Sequence, residues 1–184
     1  FNGKLFKVTG VQGDDVDLDE VRVTELASGM QEPQGVAIVD GEIYVSTKAG
    51  LDRLVDGDGD GYYEGRDRIA TWPNGNNFHE FAFGLPYRDG YFYVALSVAL
   101  ERSGASTVPQ PAGDRGTVVK IHKDTGEMEF IAGGLRTPNG IELTPDGRLL
   151  VTDNQGGWVP TSKLVEIVEG AFYNHYTTWN DPDT

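Results

Sequence analysis

The sequence predicts an all-β fold, a β-propeller of which this chain supplies about three blades. Three observations support this prediction. Apolar and polar residues alternate over strand-length segments. No window keeps the i, i+3, i+4 apolar spacing of a long helix, and 25 Gly with 9 Pro among 184 residues interrupt the chain often. A hairpin pattern with Asp-Gly turns recurs at Gly41, Gly90 and Gly147, at intervals of roughly 50 residues.

The predicted strands follow in chain order. Residues 1–9 alternate apolar and polar side chains like the third strand of a blade, and residues 21–27 close that blade as an outer strand. Later blades open with a hairpin followed by a third strand. Hairpins are predicted at residues 34–47, 80–96 and 140–152, third strands at 51–55, 117–122 and 163–168, and fourth strands at 67–71 and 127–132. The single domain, residues 1–184, is accordingly divided into the end of one blade (1–30), two blades (31–73 and 74–133) and an incomplete blade (134–184).

The composition argues against anionic partners and membrane helices and excludes sites built from cysteine. The formal charge of −14 disfavours nucleic acid and anionic membranes, because both would repel the chain. The same charge suits a protein that binds divalent cations or one that stays soluble in salty water. Without Cys there is no disulfide, thiol nucleophile or thiolate metal site, and no apolar run approaches the roughly 20 residues of a membrane helix. The chain begins at Phe1 without a start methionine or signal peptide, so we expect a processed or trimmed chain.

The sharpest local motif is the acidic segment that begins at Asp56. Acidic oxygens at positions one, three and five, and a Gly at position six that permits a tight turn, are typical of a calcium-binding loop. The predicted ligands are Asp56, Asp58, Asp60, the Tyr62 carbonyl, Glu64 directly or through water, and Asp67 at position twelve. The usual loop has Glu at position twelve, so we expect weaker coordination here. Because the loop joins strands, it is predicted to be a structural calcium clip, with a flexible acidic turn as the alternative.

A candidate functional site is predicted at the ends of the last hairpin. Arg136 and Asn139 precede its first strand, and Asp153 and Asn154 follow its second. Because an antiparallel pair places the start of one strand beside the end of the next, these side chains should converge at one edge of the sheet. His79 directly precedes an innermost strand at the same end, and its unperturbed pKa suits proton transfer near neutrality. The alternative for His79 is an ordinary surface or core histidine.

Two further regions have open interpretations. Residues 98–115 form a longer connection rich in Ser, Pro and Gly, which either covers a site or is a plain surface excursion. Trp158 and His175 are interpreted as packing residues, with a place in the pocket lining as the alternative.

Three segments resemble one family of enzymes: NNFHEFAFGLPYRDGYFYVAL, GLRTPNGIELTPDGRLLVTDNQGGWVPTSKL and GAFYNH. They are similar to the propeller domain of the sorbosone/glucose dehydrogenase-like quinoproteins, particularly large bacterial proteins that join this propeller to a cytochrome region. The resemblance covers most of residues 29–176. It implies a six-bladed propeller with pyrroloquinoline quinone (PQQ) on the axis, a calcium ion that polarises the quinone, and oxidation of a sugar hydroxyl or hemiacetal. It also implies that His79 is the general base and that Arg136 binds the cofactor's acidic or quinone oxygens.

The resemblance has further implications and one departure. It implies a small sugar or alcohol substrate, a cytochrome as a possible electron acceptor, and a periplasmic or extracellular location. The segment after Asp153 reads Asn-Gln-Gly-Gly and lacks the family's acid-His-Gly-Pro pattern, and the absence of Cys excludes a covalently attached haem.

A ring of six blades needs about 300 residues. We therefore expect a fragment of a longer polypeptide, with ring closure by a second copy as the alternative.

Two other functions remain open. Pro138-Asn139-Gly140, Pro145-Asp146-Gly147 and Thr152-Asp153 also resemble the gluconolactonase-type propellers, which hold one divalent ion on the axis. That resemblance implies Asn139 and Asp153 as metal ligands, with Glu80 or a further blade supplying the glutamate, and a metal that activates water or a lactone carbonyl. A non-catalytic binding or scaffold propeller is the third interpretation, because the fold hosts many functions.

Overall fold

The computed structural model describes residues 2–13, 15–156 and 160–176, and within these ranges the chain forms strands and no helix. The strands are β1 (Gly3–Thr9), β2 (Arg22–Met30), β3 (Gly35–Val39), β4 (Glu42–Thr47), β5 (Gly50–Val55), β6 (Gly65–Thr71), β7 (Ala82–Phe83), β8 (Tyr87–Arg88), β9 (Tyr91–Leu96), β10 (Thr117–His122), β11 (Met128–Gly133), β12 (Pro138–Leu143), β13 (Leu149–Asp153), β14 (Lys163–Glu166) and β15 (Ala171–Phe172). The prediction of an all-β chain is confirmed.

The strands form four sheets that follow one another along the chain. The first is the antiparallel pair β1–β2, the second has the order β3-β4-β5-β6, and the fourth has the order β12-β13-β14. The third has the order β15-β11-β10-β9-β7, with β8 also paired to β9. Neighbours in sequence are neighbours in each sheet, with two exceptions: β7 pairs with β9 and not with β8, and β15 returns to pair in parallel with β11. A sequential antiparallel meander of this kind is the pattern of propeller blades.

Two local features differ from the predicted strands. The inner strand expected at residues 80–84 is shortened to β7, and a second short strand, β8, follows at Tyr87–Arg88, because Gly84 has a φ of 75° and Pro86 has no backbone N–H to donate to a ladder. The Pro86 carbonyl still accepts a hydrogen bond from the Tyr93 amide at 3.0 Å, so the hairpin remains closed. The parallel strand β15 was not predicted, because two residues carry no detectable strand pattern.

The apolar core lies between successive sheets. Alternation along β10 sends Val119 and Ile121 into a cluster with the second sheet, and Val118 into a cluster with Ile141 and Val151 of the fourth. A third cluster joins the first and second sheets through Ala27, Met30, Ile43, Val45 and Leu54. Each sheet is therefore covered by its neighbours in sequence. This stacking fixes the loops at the strand ends relative to one another.

Gly84 marks the tightest approach between two of these sheets. A side chain at this position would place its Cβ 1.9 Å from Ile141 Cγ2, so the Ile141 side chain would have to move. The Gly84 carbonyl also accepts a hydrogen bond from Ser46 Oγ at 3.1 Å. Gly84, between β7 and β8 of the third sheet, thus contacts both the second and the fourth sheet.

Candidate functional site

His79 is held in place by both its backbone and its ring. The backbone amide donates to Asn77 Oδ1 at 2.9 Å, and the carbonyl accepts from Ser97 Oγ at 2.6 Å. The ring Nδ1 lies 3.1 Å from the Val98 carbonyl. A carbonyl oxygen only accepts, so this contact places the proton of the neutral ring on Nδ1 and leaves the Nε2 lone pair available as a base.

The surroundings of His79 favour the neutral ring. The side chain is half-buried, and the Phe81 ring lies edge-on at a centroid distance of 5.1 Å. Burial lowers the pKa of His79 below its usual value; the Val98 hydrogen bond opposes this effect, and the positive charge of Arg136 adds to it. The imidazole is therefore unprotonated near neutral pH.

The loop before His79 rests on a buried pair of charged residues. Glu80 is fully buried, and its Oε2 accepts from the backbone amides of Gly75 at 2.7 Å and Asn77 at 3.3 Å. Arg115 donates to three backbone carbonyls, and burial lowers its pKa to about 10, with Glu80 opposing the change. These contacts fix Asn77, which in turn fixes the His79 backbone.

Arg136 lies close to His79 although the two are on different sheets. The Val98 amide donates to the Arg136 carbonyl at 2.9 Å, while the Val98 carbonyl contacts the His79 ring. Arg136 is only 8% exposed, and its Nη2 donates to the Gly104 carbonyl. In the described part of the chain its Nε has no hydrogen-bond partner. Val98 thus contacts the ring of the predicted base and the backbone of the predicted cationic ligand, while His79 is not among the residues that line the cavity beside Arg136.

The remaining predicted cofactor residues have different surroundings. Asp153 is buried and accepts from the backbone amides of Arg136 at 3.1 Å and Thr137 at 2.8 Å, so it anchors the turn that carries Arg136. The prediction that Asn139 precedes the first strand is wrong, because β12 already begins at Pro138. Asn139 is exposed on this strand and accepts from Thr152 Oγ1 at 3.2 Å. Asn154 Oδ1 accepts from the Gln155 amide at 2.9 Å. Of these three residues, Asp153 alone lines the cavity beside Arg136.

That cavity has a volume of about 310 Å³, and its lining includes Lys163, which the sequence did not single out. Besides Arg136 and Asp153 it is lined by Lys163, Tyr173 and His175. Lys163 Nζ lies 3.5 Å from Asp153 Oδ2 and donates to the Tyr173 carbonyl at 2.8 Å. A signal for Lys163 was available, because it starts the strand that pairs with the end of β13 and therefore stands opposite Asp153.

His175 lies between this cavity and a second one of about 480 Å³ that Arg115 also lines. Its Nε2 is 2.9 Å from Ser106 Oγ, and burial lowers its pKa below the usual value, with Arg136 contributing in the same direction. The pocket-lining alternative for His175 thus has support. The corresponding alternative for Trp158 lies outside the described residues.

The acidic loop lies apart from this site and is built from local contacts. Ligand oxygens of Asp56, Asp58 and Glu64 lie within 4.8 Å of one another, close enough for a single cation. Asp60 accepts from the Tyr62 amide at 2.7 Å. Asp67, on β6, instead forms an ion pair with Arg53 at 2.6 Å. The structure brings three of the six predicted ligands together and engages the position-twelve carboxylate elsewhere.

Comparisons with known proteins address the fold. A family model described as "Domain of unknown function (DUF7133)" matches residues 10–177. No curated protein sequence matches the chain. Solved structures do match, including a calcium structure of a Trichoderma reesei carbohydrate-active enzyme of family AA12 (TM-score 0.65, 16% identity, 94% of this chain and 48% of that one). A glucose dehydrogenase matches with a TM-score of 0.55 at 19% identity, over 84% of this chain and 56% of that one.

A further match is the holo form of the pyranose dehydrogenase PQQ domain from Coprinopsis cinerea, with a TM-score of 0.55, 12% identity, and coverage of 73% of this chain and 36% of that one. The chain therefore spans roughly half the length of these structures or less. The predicted propeller fold and its likeness to quinoprotein propellers are confirmed. Within the described residues no helix is long and apolar enough to cross a membrane.

Proposed function

We propose that this chain, which belongs to the family described as a domain of unknown function (DUF7133), is part of a PQQ-dependent sugar or alcohol dehydrogenase-like propeller. The observation that carries the proposal is the junction at Val98, where one residue contacts both the His79 ring and the Arg136 backbone. A base with a free lone pair and a buried cation are the two groups that oxidation of an alcohol beside an anionic quinone requires.

The chemistry of the donor set fits such a cofactor. PQQ carries carboxylates and quinone oxygens, and all of these groups accept hydrogen bonds. Arg136 has a planar set of donors, and its Nε lacks a partner in the described part of the chain. Lys163 adds a second cation to the same cavity. Arg136 and Lys163 would hold the acidic groups, and the bound quinone would supply the acceptor for the substrate's hydride.

The chain's own residues then have distinct roles. His79 accepts the hydroxyl proton of the substrate at Nε2, because Nδ1 is committed to the Val98 carbonyl. Asn77 and Ser97 keep the ring's backbone in position, and Asp153 fixes the turn that presents Arg136. The aromatic face of Phe81 limits the access of water to the imidazole.

The acidic loop is proposed to bind calcium as a structural clip. Its cluster of Asp56, Asp58 and Glu64 offers oxygen ligands, the kind that calcium prefers. Because these residues lie on the connection between β5 and β6, the ion would stabilise the second sheet and take no part in the chemistry. A further calcium ion at the cofactor, a cytochrome acceptor and an exported location complete the proposal.

Reconstitution tests the proposal directly. The protein is incubated with PQQ and calcium, and reduction of an artificial dye is measured with a panel of aldoses and simple alcohols. We expect dye reduction that needs both PQQ and a substrate and that is lost in His79→Ala. Absence of cofactor binding in an absorbance titration would refute the dehydrogenase function, whereas calcium-dependent lactone hydrolysis that needs Asn139 and Asp153 would support the gluconolactonase-type alternative.

A further inference from the structure

Three residues of the connection between β9 and β10, Gly104, Ala105 and Ser106, lie across the basic side chains of the site; we call them the strap. The Gly104 carbonyl accepts a hydrogen bond from Arg136 Nη2. Two residues later, Ser106 Oγ lies 2.9 Å from His175 Nε2. Both partners of the strap line the 310 Å³ cavity. The strap therefore occupies hydrogen-bonding groups of Arg136 and His175 that a ligand in this cavity would use.

This arrangement leaves Arg136 with an unsatisfied charge. The residue is more than nine-tenths buried, its contact with the strap is to a neutral carbonyl, and its Nε is without a partner in the described chain. The nearby carboxylate of Asp153 accepts from the backbone amides of Arg136 and Thr137. A buried guanidinium is stabilised best by a planar anion that accepts two hydrogen bonds, and the strap does not supply one.

The cavity also has the opposite charge balance to the chain as a whole. The full sequence carries a formal charge of −14. Among the described lining residues, the cations Arg136 and Lys163 face the single carboxylate of Asp153, and His175 adds a further hydrogen-bonding nitrogen. Such a local excess of positive charge in an acidic protein attracts small anions.

We propose that this cavity binds a small molecule bearing a carboxylate or phosphate. The strap is displaced when this anion replaces it as the hydrogen-bond partner of Arg136 and His175. An anion outcompetes the strap because charge-assisted hydrogen bonds are stronger than those to a neutral carbonyl or hydroxyl. This proposal rests on the proposed function, because Arg136 belongs both to this anion site and to the proposed cofactor site. The anion can be a carboxylate of the cofactor or an acidic group on a substrate.

Calorimetric titration of the intact protein with inorganic phosphate, gluconate and PQQ, each alone, distinguishes these sources. We expect phosphate or gluconate to bind the wild type and Lys163→Gln to weaken that binding about tenfold. Ser106→Ala should tighten binding several-fold, because loss of the His175 contact raises the population of the open strap. Lys7→Gln is the matched control, because it removes the same charge from an exposed position on β1 and should change nothing.

Hydrogen exchange measured by mass spectrometry reports on the strap itself. Amides of residues 101–107 should exchange faster when the anion is bound. Slower or unchanged exchange would contradict displacement of the strap. Equal affinities in Lys163→Gln and Lys7→Gln for every anion that binds would overturn the anion site, and PQQ-dependent dye reduction by the same protein would leave the dehydrogenase function standing. Binding of PQQ without phosphate or gluconate would support the anion site with the cofactor as the source of the anion. Binding of phosphate or gluconate without PQQ would support the anion site and refute the dehydrogenase function. If Lys163→Gln does not fold by circular dichroism, Lys163→Met replaces it, because Met removes the charge and keeps an unbranched aliphatic side chain.

Discussion

The acidic loop and the cavity beside Arg136 are assembled in opposite ways. In the loop, Asp56, Asp58 and Glu64 are neighbours in sequence, and hydrogen bonds such as Gly59 to Asp56 span a few residues. In the cavity, Arg136 meets Asp153 from the next strand, and His175 meets Ser106 across 69 residues of chain. A local motif can be detected as a spacing in the sequence, whereas a site made by packed sheets depends on contacts that no spacing encodes. The two regions should therefore respond differently to mutation.

The largest expected effect is on turnover at the assembled site. His79→Ala should lower kcat of the reconstituted enzyme by about 10²–10⁴-fold, because the substrate hydroxyl loses its general base. The control is His122→Ala, which removes a histidine of β10 that contacts the Tyr91 ring at 5.0 Å on a different part of the third sheet. Equal losses in both variants would show that the effect is structural.

The next effect is on the stability of the assembled site. Asp153→Ala should lower the free energy of unfolding by about 3 kcal/mol, because the buried amides of Arg136 and Thr137 lose their acceptor. Urea denaturation followed by circular dichroism measures the change. Glu142→Ala is the control, since Glu142 lies at an exposed position of β12. An Asp153→Ala variant as stable as this control would contradict the anchoring role.

The acidic loop should respond to calcium independently of the cavity. Saturating calcium at about 100 times Kd should stabilise the protein by about 2.7 kcal/mol, and Asp58→Asn should abolish the resulting shift in Tm. Asp67→Asn should retain the shift, because that carboxylate is paired with Arg53. Thermal unfolding with and without EDTA checks both. Loss of the Tm shift in Asp67→Asn would show that Asp67 is a calcium ligand, as the sequence predicted.

The smallest expected effect is on pH dependence. Burial lowers the pKa of His79 from its usual 6.5, so the active neutral ring persists to lower pH than in a free histidine. The kcat/KM should be constant above pH 6.5 and fall only at more acidic pH. The free energy of unfolding should depend on pH in the same direction as kcat/KM. The contribution of the neutral His79 ring is complete above the pKa of the unfolded chain and declines as pH falls, because the unfolded chain then binds more protons than the folded one. A kcat/KM that rises between pH 7 and 9 would contradict this assignment.

The strands were the most predictable part of the molecule. The alternating residues located β10 with its observed bounds, and the predicted hairpins end where β4 and β9 end. The divided inner strand at β7 and β8 escaped prediction, because the Gly84 and Pro86 interruption affects hydrogen bonding within a segment whose pattern is still apolar.

The site was predictable only in part. His79 and Arg136 were predicted to lie at the same end of the sheets because each precedes the first strand of its hairpin, and in the structure both contact the Val98 backbone. The roles of Ser106 and Lys163 escaped prediction, because they depend on where the connection between β9 and β10 lies and on strand register. Asp67 was placed among the calcium ligands from spacing alone, which carries no information about the competing cation Arg53 on the adjacent strand.

Titration of the intact protein with PQQ, followed by calorimetry in the wild type and in Arg136→Met, tests the central claim most directly. The claim is that His79 and Arg136 share one cofactor site through Val98. We predict saturable binding with one PQQ per chain in the wild type and affinity at least about 30-fold weaker in Arg136→Met, because the cofactor's acidic groups lose a charged partner. Equal PQQ affinity in the two proteins, or no binding to the wild type, would contradict the claim.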